Sequence, residues 1–421
     1  MPDAANPRAI LGLDGRMLLL IGVCSLTFFL DSLIPTLMGP LAGPIARSLS
    51  LSRTELGAVF SANLVGQCIG LLTIPLLARR FGHRSLILWT TLGFGLSQAL
   101  TAFVIDRDTL VASRLVTGVF LGGALPSCVA AVSQRSPPER LGLATMLLFT
   151  AYGLGGAVAG FLAGLFVEGG DWRLAFGYTG GACLIAVLAC WRWLEEPAAP
   201  PRADQQDPGP QRRLGEILSP PLLGGTLLLW LMFICALTIF YCLSSWLPTL
   251  LVDIGRTPQL AANAVGSYTG GGVVSGLLIG PLIDRFGAHR ILGLFFAISA
   301  SLLWIIGQFM EVMPDWPLLA MLATCGFFML GAYGGLNVVL ASYYPVDLRA
   351  VGIGWTKSIS RLGTILPPFA IGIAVSQGMK AATIVSAFAV PAVLIVAALA
   401  LIRRDAQRAA KCPRPCEPAK R

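Results

Sequence analysis

The run Ile283-Asp284-Arg285-Phe286-Gly287-Ala288-His289-Arg290 carries an Arg-Phe-Gly turn, and so does Ala78-Arg79-Arg80-Phe81-Gly82-His83-Arg84 in the other half of the chain. Each turn follows an apolar segment of about 20 residues, the length a helix needs to cross a bilayer core. Both segments are the second of their half. A motif that returns at the same ordinal place marks an internal duplication.

Working outward from the two turns, further apolar segments recur along the whole chain. We count twelve, near 17–39, 58–78, 86–105, 110–133, 143–166, 174–194, 223–251, 261–283, 291–310, 317–342, 352–375 and 381–402. Of the 421 residues, 55% are hydrophobic and 12% charged, about half the charge of an average soluble domain. Lipid is the solvent such a chain requires, and backbone groups in lipid must be satisfied within helices. The expected fold is therefore all-α, with twelve transmembrane helices in two six-helix halves, an arrangement known among membrane carriers built from parallel repeats.

The net charge of +9 is not a nucleic-acid signal, because the cations alternate by loop. Clusters follow the even-numbered spans: Arg79, Arg80 and Arg84; Arg135 and Arg140; Arg202, Arg212 and Arg213; Arg285 and Arg290; Arg349; and the tail from Arg403. The other loops hold isolated cations such as Arg107, Arg173 and Arg256. By the positive-inside rule both termini and the central loop face the cytoplasm. The chain then divides into a first bundle at 1–194, a Pro- and Gln-rich cytoplasmic linker at 195–222, a second bundle at 223–402 and a basic cytoplasmic tail at 403–421.

Ten cysteines are present, and eight (Cys24, Cys68, Cys128, Cys183, Cys190, Cys235, Cys242 and Cys325) fall within spans, where they read as small apolar core residues. Cys412 and Cys416 in the tail are too few for a zinc site, and a reducing cytoplasm disfavours their oxidation. No cofactor or metal is expected. The first span continues through Asp31 with no cleavage site, so it is expected to stay in the protein.

Charges inside spans are costly, at least ~2.5–3.5 kcal/mol each, and they mark pathways. Lys357 and Arg361 lie i,i+4 within the apolar stretch 352–375, on one helix face. Either they line a polar cavity and meet an anion, which we favour, or they snorkel to the cytoplasmic interface. Asp31 sits well inside the first span, either functional or bonded to a neighbouring serine. That span is expected to break at Pro35, Gly39, Pro40, Gly43 and Pro44. Arg114, Gly118 and Gly122 form a stripe on the fourth span along which another backbone can approach, and Gly156, Gly160 and Gly164 form another on the fifth. Asn337 is polar and deep in the tenth span. Tyr152, Phe240, Tyr241, Tyr333 and Trp355 offer rings for stacking, or are ordinary core or lipid-facing residues.

At the paired turns the chain resembles the major facilitator superfamily, whose loop signature is a glycine, three residues, then Asp-Arg-x-Gly. Gly280-Pro281-Leu282-Ile283-Asp284-Arg285-Phe286-Gly287 matches it; the first copy has Pro75 for the glycine and Arg79 for the aspartate. The resemblance implies a cytoplasmic latch between the halves at Asp284, Arg285 and Gly287. Within the superfamily the chain is most similar to the aromatic acid:proton symporters. That likeness rests on Arg114 to Pro126, Gly334-Gly335-Leu336-Asn337, Tyr344-Pro345, Gly352 to Trp355 and Arg361-Leu362-Gly363. It departs at Ile34, where the family carries a second carboxylate, at Gln134, and at Lys357, where the family has no charge.

The resemblance implies a secondary transporter, not an enzyme, taking up an organic, aromatic carboxylate with protons by alternating access. The partners are then a small organic anion, protons and lipid, in a bacterial inner membrane, with the protein monomeric. Arg361 offers the planar fork that grips a carboxylate, and Lys357 a second point charge. Arg114, Asn337, Tyr333 and Trp355 complete the substrate set. Asp31 carries the proton: burial favours its neutral form and a nearby free cation its carboxylate, so a substrate that occupies the cation lets Asp31 keep its proton. Other small anions such as a dicarboxylate, and export in place of uptake, stay open. A sensor or enzyme is disfavoured, because His83 and His289 lie in loops and the spans hold no nucleophile–base pair or metal cluster.

Overall fold

The structure, a computed structural model, describes residues 15–137, 140–167, 171–194, 214–345 and 348–411. The amino-terminal 1–14, most of the central linker (195–213) and the tail from Cys412, with Arg202, Arg212, Arg213 and Cys416, lie outside the described residues.

Helices account for almost all of it. The first half holds α1 (Gly15–Leu49), α2 (Arg53–Thr73), α3 (Ala78–Leu100), α4 (Arg107–Arg135), α5 (Leu141–Val167) and α6 (Trp172–Trp193). The second holds α7 (Pro220–Asp253), α8 (Pro258–Phe286), α9 (Ala288–Phe309) and α10 (Asp315–Tyr343). Its eleventh span is split into α11 (Arg349–Ser360) and α12 (Leu362–Ser376), and its last into α13 (Ala381–Ala387) and α14 (Ala389–Lys411). Sequence-local devices start several of them. Ser52 and Glu55 form a reciprocal capping box on α2, and the Asp106 carboxylate accepts from the Thr109 N–H at 2.8 Å at the head of α4. Each satisfies backbone donors that a helix N-terminus leaves free. Those bonds also hold the exposed Asp106 carboxyl below its usual range.

Among the described residues eleven helices are long and apolar enough to cross a bilayer. The twelfth expected span, α8, has 29 residues and the necessary length. Its apolarity is diluted by Gly266, Gly270, Gly271, Gly272, Gly276 and Gly280, because it is an inner helix that crosses close to α10 and α5. A Cβ on Gly326 of α10 would fall 1.7 Å from the Tyr268 carbonyl oxygen of α8, and one on Gly271 1.9 Å from that of Ala323. Gly326→Ala therefore forces the helices apart and is expected to cost ~1–3 kcal/mol, the usual range for overpacking. Thermal melting of the detergent-purified variant checks it, an unchanged midpoint contradicting the close crossing.

Two elements differ from expectation. The first span does not break at its prolines: α1 runs continuously through Pro35, Pro40 and Pro44. Neighbouring helices enclose this stretch, buried from Leu30 to Ala42 except for Pro35, so no bulk water competes for the freed carbonyls. Gly39 instead admits α7, a Cβ there lying 2.2 Å from the Ser244 carbonyl oxygen. The eleventh span, read as one helix, is interrupted at Arg361, whose N–H bonds back to the Ser358 carbonyl at 3.2 Å. Downstream, Pro367 has no N–H for the Gly363 carbonyl, which accepts from the Thr238 hydroxyl at 3.1 Å.

The duplication is visible in the backbone. Gly82 (φ 74°, ψ 160°) and Gly287 (φ 86°, ψ 138°) adopt the same left-handed turn, which a Cβ disfavours. Arg80 lies 5.4 Å over the Phe81 ring and Arg285 5.3 Å over Phe286.

The halves meet at one end only. There Arg53 of α2 pairs with Asp253 of α7, Phe60 meets Trp246 edge-on at 5.4 Å, and Gly160 of α5 touches Gly266 of α8. Contact persists to mid-height, where the Ser61 hydroxyl donates to the Ile365 carbonyl at 2.8 Å and Gly153 faces Val273. Toward the other end a Cβ on Gly142 of α5, or on Gly276 or Gly280 of α8, would meet nothing within 4 Å. The cleft thus opens toward the end that carries the Gly82 and Gly287 turns.

Candidate functional site

The eleventh span places two cations at mid-height between the halves. Arg361 is half-buried and interacts electrostatically with Tyr241, Tyr333, Cys68 and Tyr152, residues drawn from α7, α10, α2 and α5. It also acts on Asp31 of α1 and on Lys357. Residues far apart in the sequence are thereby gathered on one guanidinium.

Lys357, one turn earlier, stands against aromatic faces. Its Nζ lies 4.2 Å from the Phe233 ring centre and 5.6 Å from that of Tyr333, and the two rings meet edge-on at 6.1 Å. A ring face attracts a cation without neutralising it. Among the described residues neither Lys357 nor Arg361 has a carboxylate within ion-pair distance. Phe233 was not singled out from the sequence, since one phenylalanine in the apolar run of α7 carries no signal until α10 and α11 are folded around it.

Asp31 is 5% exposed, and its buried Oδ1 has no hydrogen-bond partner among the described residues. The neighbouring Ser32 side chain instead faces Gly156 of α5. A carboxyl so placed, with an unused polar atom and a guanidinium in electrostatic range, can gain or lose a proton in step with what occupies that guanidinium.

Arg114 is placed differently. It is 1% exposed, donates from Nη1 to Gln98 Oε1 at 3.0 Å and from Nη2 to the Thr101 hydroxyl, and lies 5.0 Å over the Phe176 ring. The glycine stripe beneath it admits α2, Gly118 and Gly122 touching the carbonyls of Asn63 and Gln67. Arg114 also lines a cavity of ≈ 30 Å³, shared with Thr36, Asn63, Tyr152, Tyr241 and Ser244 among others, that has room for little more than water.

The remaining sequence candidates are scattered. Tyr333 lies beside Lys357. Trp355 is 41% exposed. Asn337 is exposed, its amide donating to the Gly334 carbonyl at 2.9 Å. Asp284, Arg285 and Gly287 are exposed at the open end, where Asp284 forms no ion pair among the described residues. The eight described cysteines are all free, and all but Cys68 are buried. No group of three or more potential metal ligands occurs among the described residues.

A family model described as Major Facilitator Superfamily matches residues 24–262 and 229–418. The chain is 31% identical to the 3-(3-hydroxy-phenyl)propionate transporter of Escherichia coli over 91% of its own length and 93% of that protein's. It is 30% identical to the 4-hydroxybenzoate transporter PcaK of Pseudomonas aeruginosa, covering 90% and 91% respectively. In fold it is similar to a bacterial homologue of the human lysosomal transporter Spinster in an inward-facing, occupied conformation. The TM-score there is 0.71 at 16% identity, over 94% of this chain and 98% of that one.

Proposed function

The chain belongs to the Major Facilitator Superfamily, and from that membership we propose that it carries a small aromatic carboxylate across the membrane together with a proton, by alternating access. It is an integral membrane transporter, not an enzyme. The observation that carries the cargo is the pair of cations at mid-height, Lys357 and Arg361, which have no carboxylate of their own among the described residues and are bordered by Phe233, Tyr241 and Tyr333. An anionic head on an aromatic ring supplies both missing partners. Relatives that carry hydroxylated aromatic acids support the same class.

In this reading Arg361 grips the carboxylate, Tyr333 borders the ring, and Asp31 holds the coupled proton. Arg114, Asn337 and Trp355 complete the substrate set at its margin; none contacts Arg361 or Lys357 among the described residues. With Asp31 in electrostatic range of Arg361, an arriving carboxylate takes up the guanidinium's charge and leaves Asp31 free to be protonated. The loaded site then crosses with the same net charge as the empty one. Departure of the substrate into the cleft restores the pull of Arg361 on Asp31, and the proton leaves by the same opening. Rocking of the two halves exchanges the open and closed ends, with Asp284, Arg285 and Gly287 proposed to latch the end that is open here.

Uptake of labelled 4-hydroxybenzoate by liposomes holding the purified protein, with an imposed pH gradient, tests the reading. Gradient-dependent accumulation is expected, and its absence across a panel of aromatic carboxylates removes the cargo assignment. Lys357→Leu in the same assay is expected to weaken an aromatic dicarboxylate more than the matching monocarboxylate, because only a second charge loses its partner. Equal weakening of both makes the lysine structural.

We also propose a monomer in a bacterial inner membrane, with both termini and residues 195–222 on the cytoplasmic side, as the loop charges indicate. Single cysteines placed at Gln205 and at Gly169 should be labelled from opposite sides of the membrane. Labelling from the same side contradicts the topology.

A further inference from the structure

The closed end holds a second cavity that the transport cycle above does not use. It encloses ≈ 320 Å³, at the lower edge of the range for small-molecule sites. Its wall is built from both halves: the ends of α1, α5 and α7, the turn at Ser50, and the starts of α2 and α8. Arg47, Arg53, Thr249 and Asp253 are the polar side chains that distinguish it.

Three observations bear on what it takes. Among the described lining residues two guanidinium groups face a single carboxylate, so that part of the wall carries net positive charge. Glu55, the nearest other acid on α2, lies outside the lining and is held by Ser52 at 2.7 Å and Arg107 at 3.7 Å. Thr249 lines the cavity and is 4% exposed, and its buried hydroxyl has no hydrogen-bond partner among the described residues. A buried hydroxyl left unsatisfied is costly, and rotation of the Thr249 side chain into the cavity lets a ligand oxygen satisfy it. Among the described residues Arg53, finally, is held by Asp253 alone, and that ion pair ties α2 of one half to α7 of the other.

We propose that this vestibule is a recognition site for a small organic carboxylate, separate from the central one. The anion sits against Arg47 and accepts from the Thr249 hydroxyl. It competes with Asp253 for the Arg53 guanidinium, so its binding loosens the tie that keeps this end shut. Anions are thereby gathered at the closed end and favour its opening. The identity of the anion rests on the proposed cargo class; the existence of the site does not depend on Arg361.

The test is equilibrium binding of radiolabelled 4-hydroxybenzoate to the full-length detergent-purified protein. Wild type is expected to bind two equivalents, and Arg361→Leu to retain one, the weaker. Adding Arg47→Gln and Thr249→Val to Arg361→Leu should lower the remaining affinity at least tenfold. Adding Asp253→Asn instead should raise it several-fold, because the competing carboxylate is gone, an outcome that loss of folding cannot mimic. The proposal is overturned if Arg361→Leu, with or without Asp253→Asn, binds nothing. It is overturned equally if the retained site ignores the substitutions at Arg47, Thr249 and Asp253. Failure of wild-type liposomes to accumulate any aromatic carboxylate overturns the cargo reading instead, and leaves the binding result to be judged by itself.

Discussion

Asp31→Asn is expected to yield a folded protein that binds its substrate and no longer concentrates it. The amide has nearly the shape of the protonated carboxyl but cannot release a proton, so the site is fixed in one of its two states. With one proton moving per monocarboxylate, a gradient of one pH unit supplies ~1.4 kcal/mol and supports about tenfold accumulation. In the asparagine variant that ratio should fall to about one, while binding at equal pH on both sides changes little. The two readouts separate coupling from structure, since a merely packing role for Asp31 would weaken both together. Asp31 qualifies because it is 5% exposed, has an Oδ1 without a partner among the described residues, and feels Arg361. Accumulation equal to wild type would remove it from the mechanism.

Arg361→Lys should be nearly as damaging, through affinity in place of coupling. The substitution keeps the charge and discards the planar fork that binds both carboxylate oxygens. The loss is that of a charged hydrogen bond, ~1.5–3 kcal/mol, or on the order of ten- to a hundredfold in affinity. Lys357 then offers an internal comparison, because it is a point charge already and lies against rings. Substrate binding by the two variants, at matched expression and melting temperature, is the measurement. If Arg361→Lys binds 4-hydroxybenzoate as wild type does, the arginine is not the anion site.

The sequence was sufficient for whatever depends on composition, period and repetition. Apolar runs of bilayer length, separated by loops with alternating charge, specify spanning helices because lipid leaves a backbone no other way to satisfy its polar groups. The Arg-Phe-Gly turns identified the duplication because their glycines must take a positive φ, and Gly82 and Gly287 do. Lys357, Arg361 and Asp31 could be singled out one by one, since each is an expensive charge in an apolar stretch.

What they stand beside was not legible, because those partners are set by crossings between helices distant in the chain. Only the tertiary structure brings Phe233 and Tyr333 onto Lys357, and Tyr152, Tyr241 and Cys68 to Arg361. It alone seats Arg114 on Gln98 and Thr101. Local rules misled at α1, where three prolines ought to end a helix; enclosure by neighbouring helices removes the water that would make ending it favourable. They fell short at Arg361 too, where the helix tightens into a turn whose N–H bonds back to the Ser358 carbonyl. Which end of the cleft is shut was decided by contacts such as Gly160 on Gly266 and Arg53 with Asp253. The same chain must also make the opposite arrangement, so no local feature of the sequence can specify one of the two.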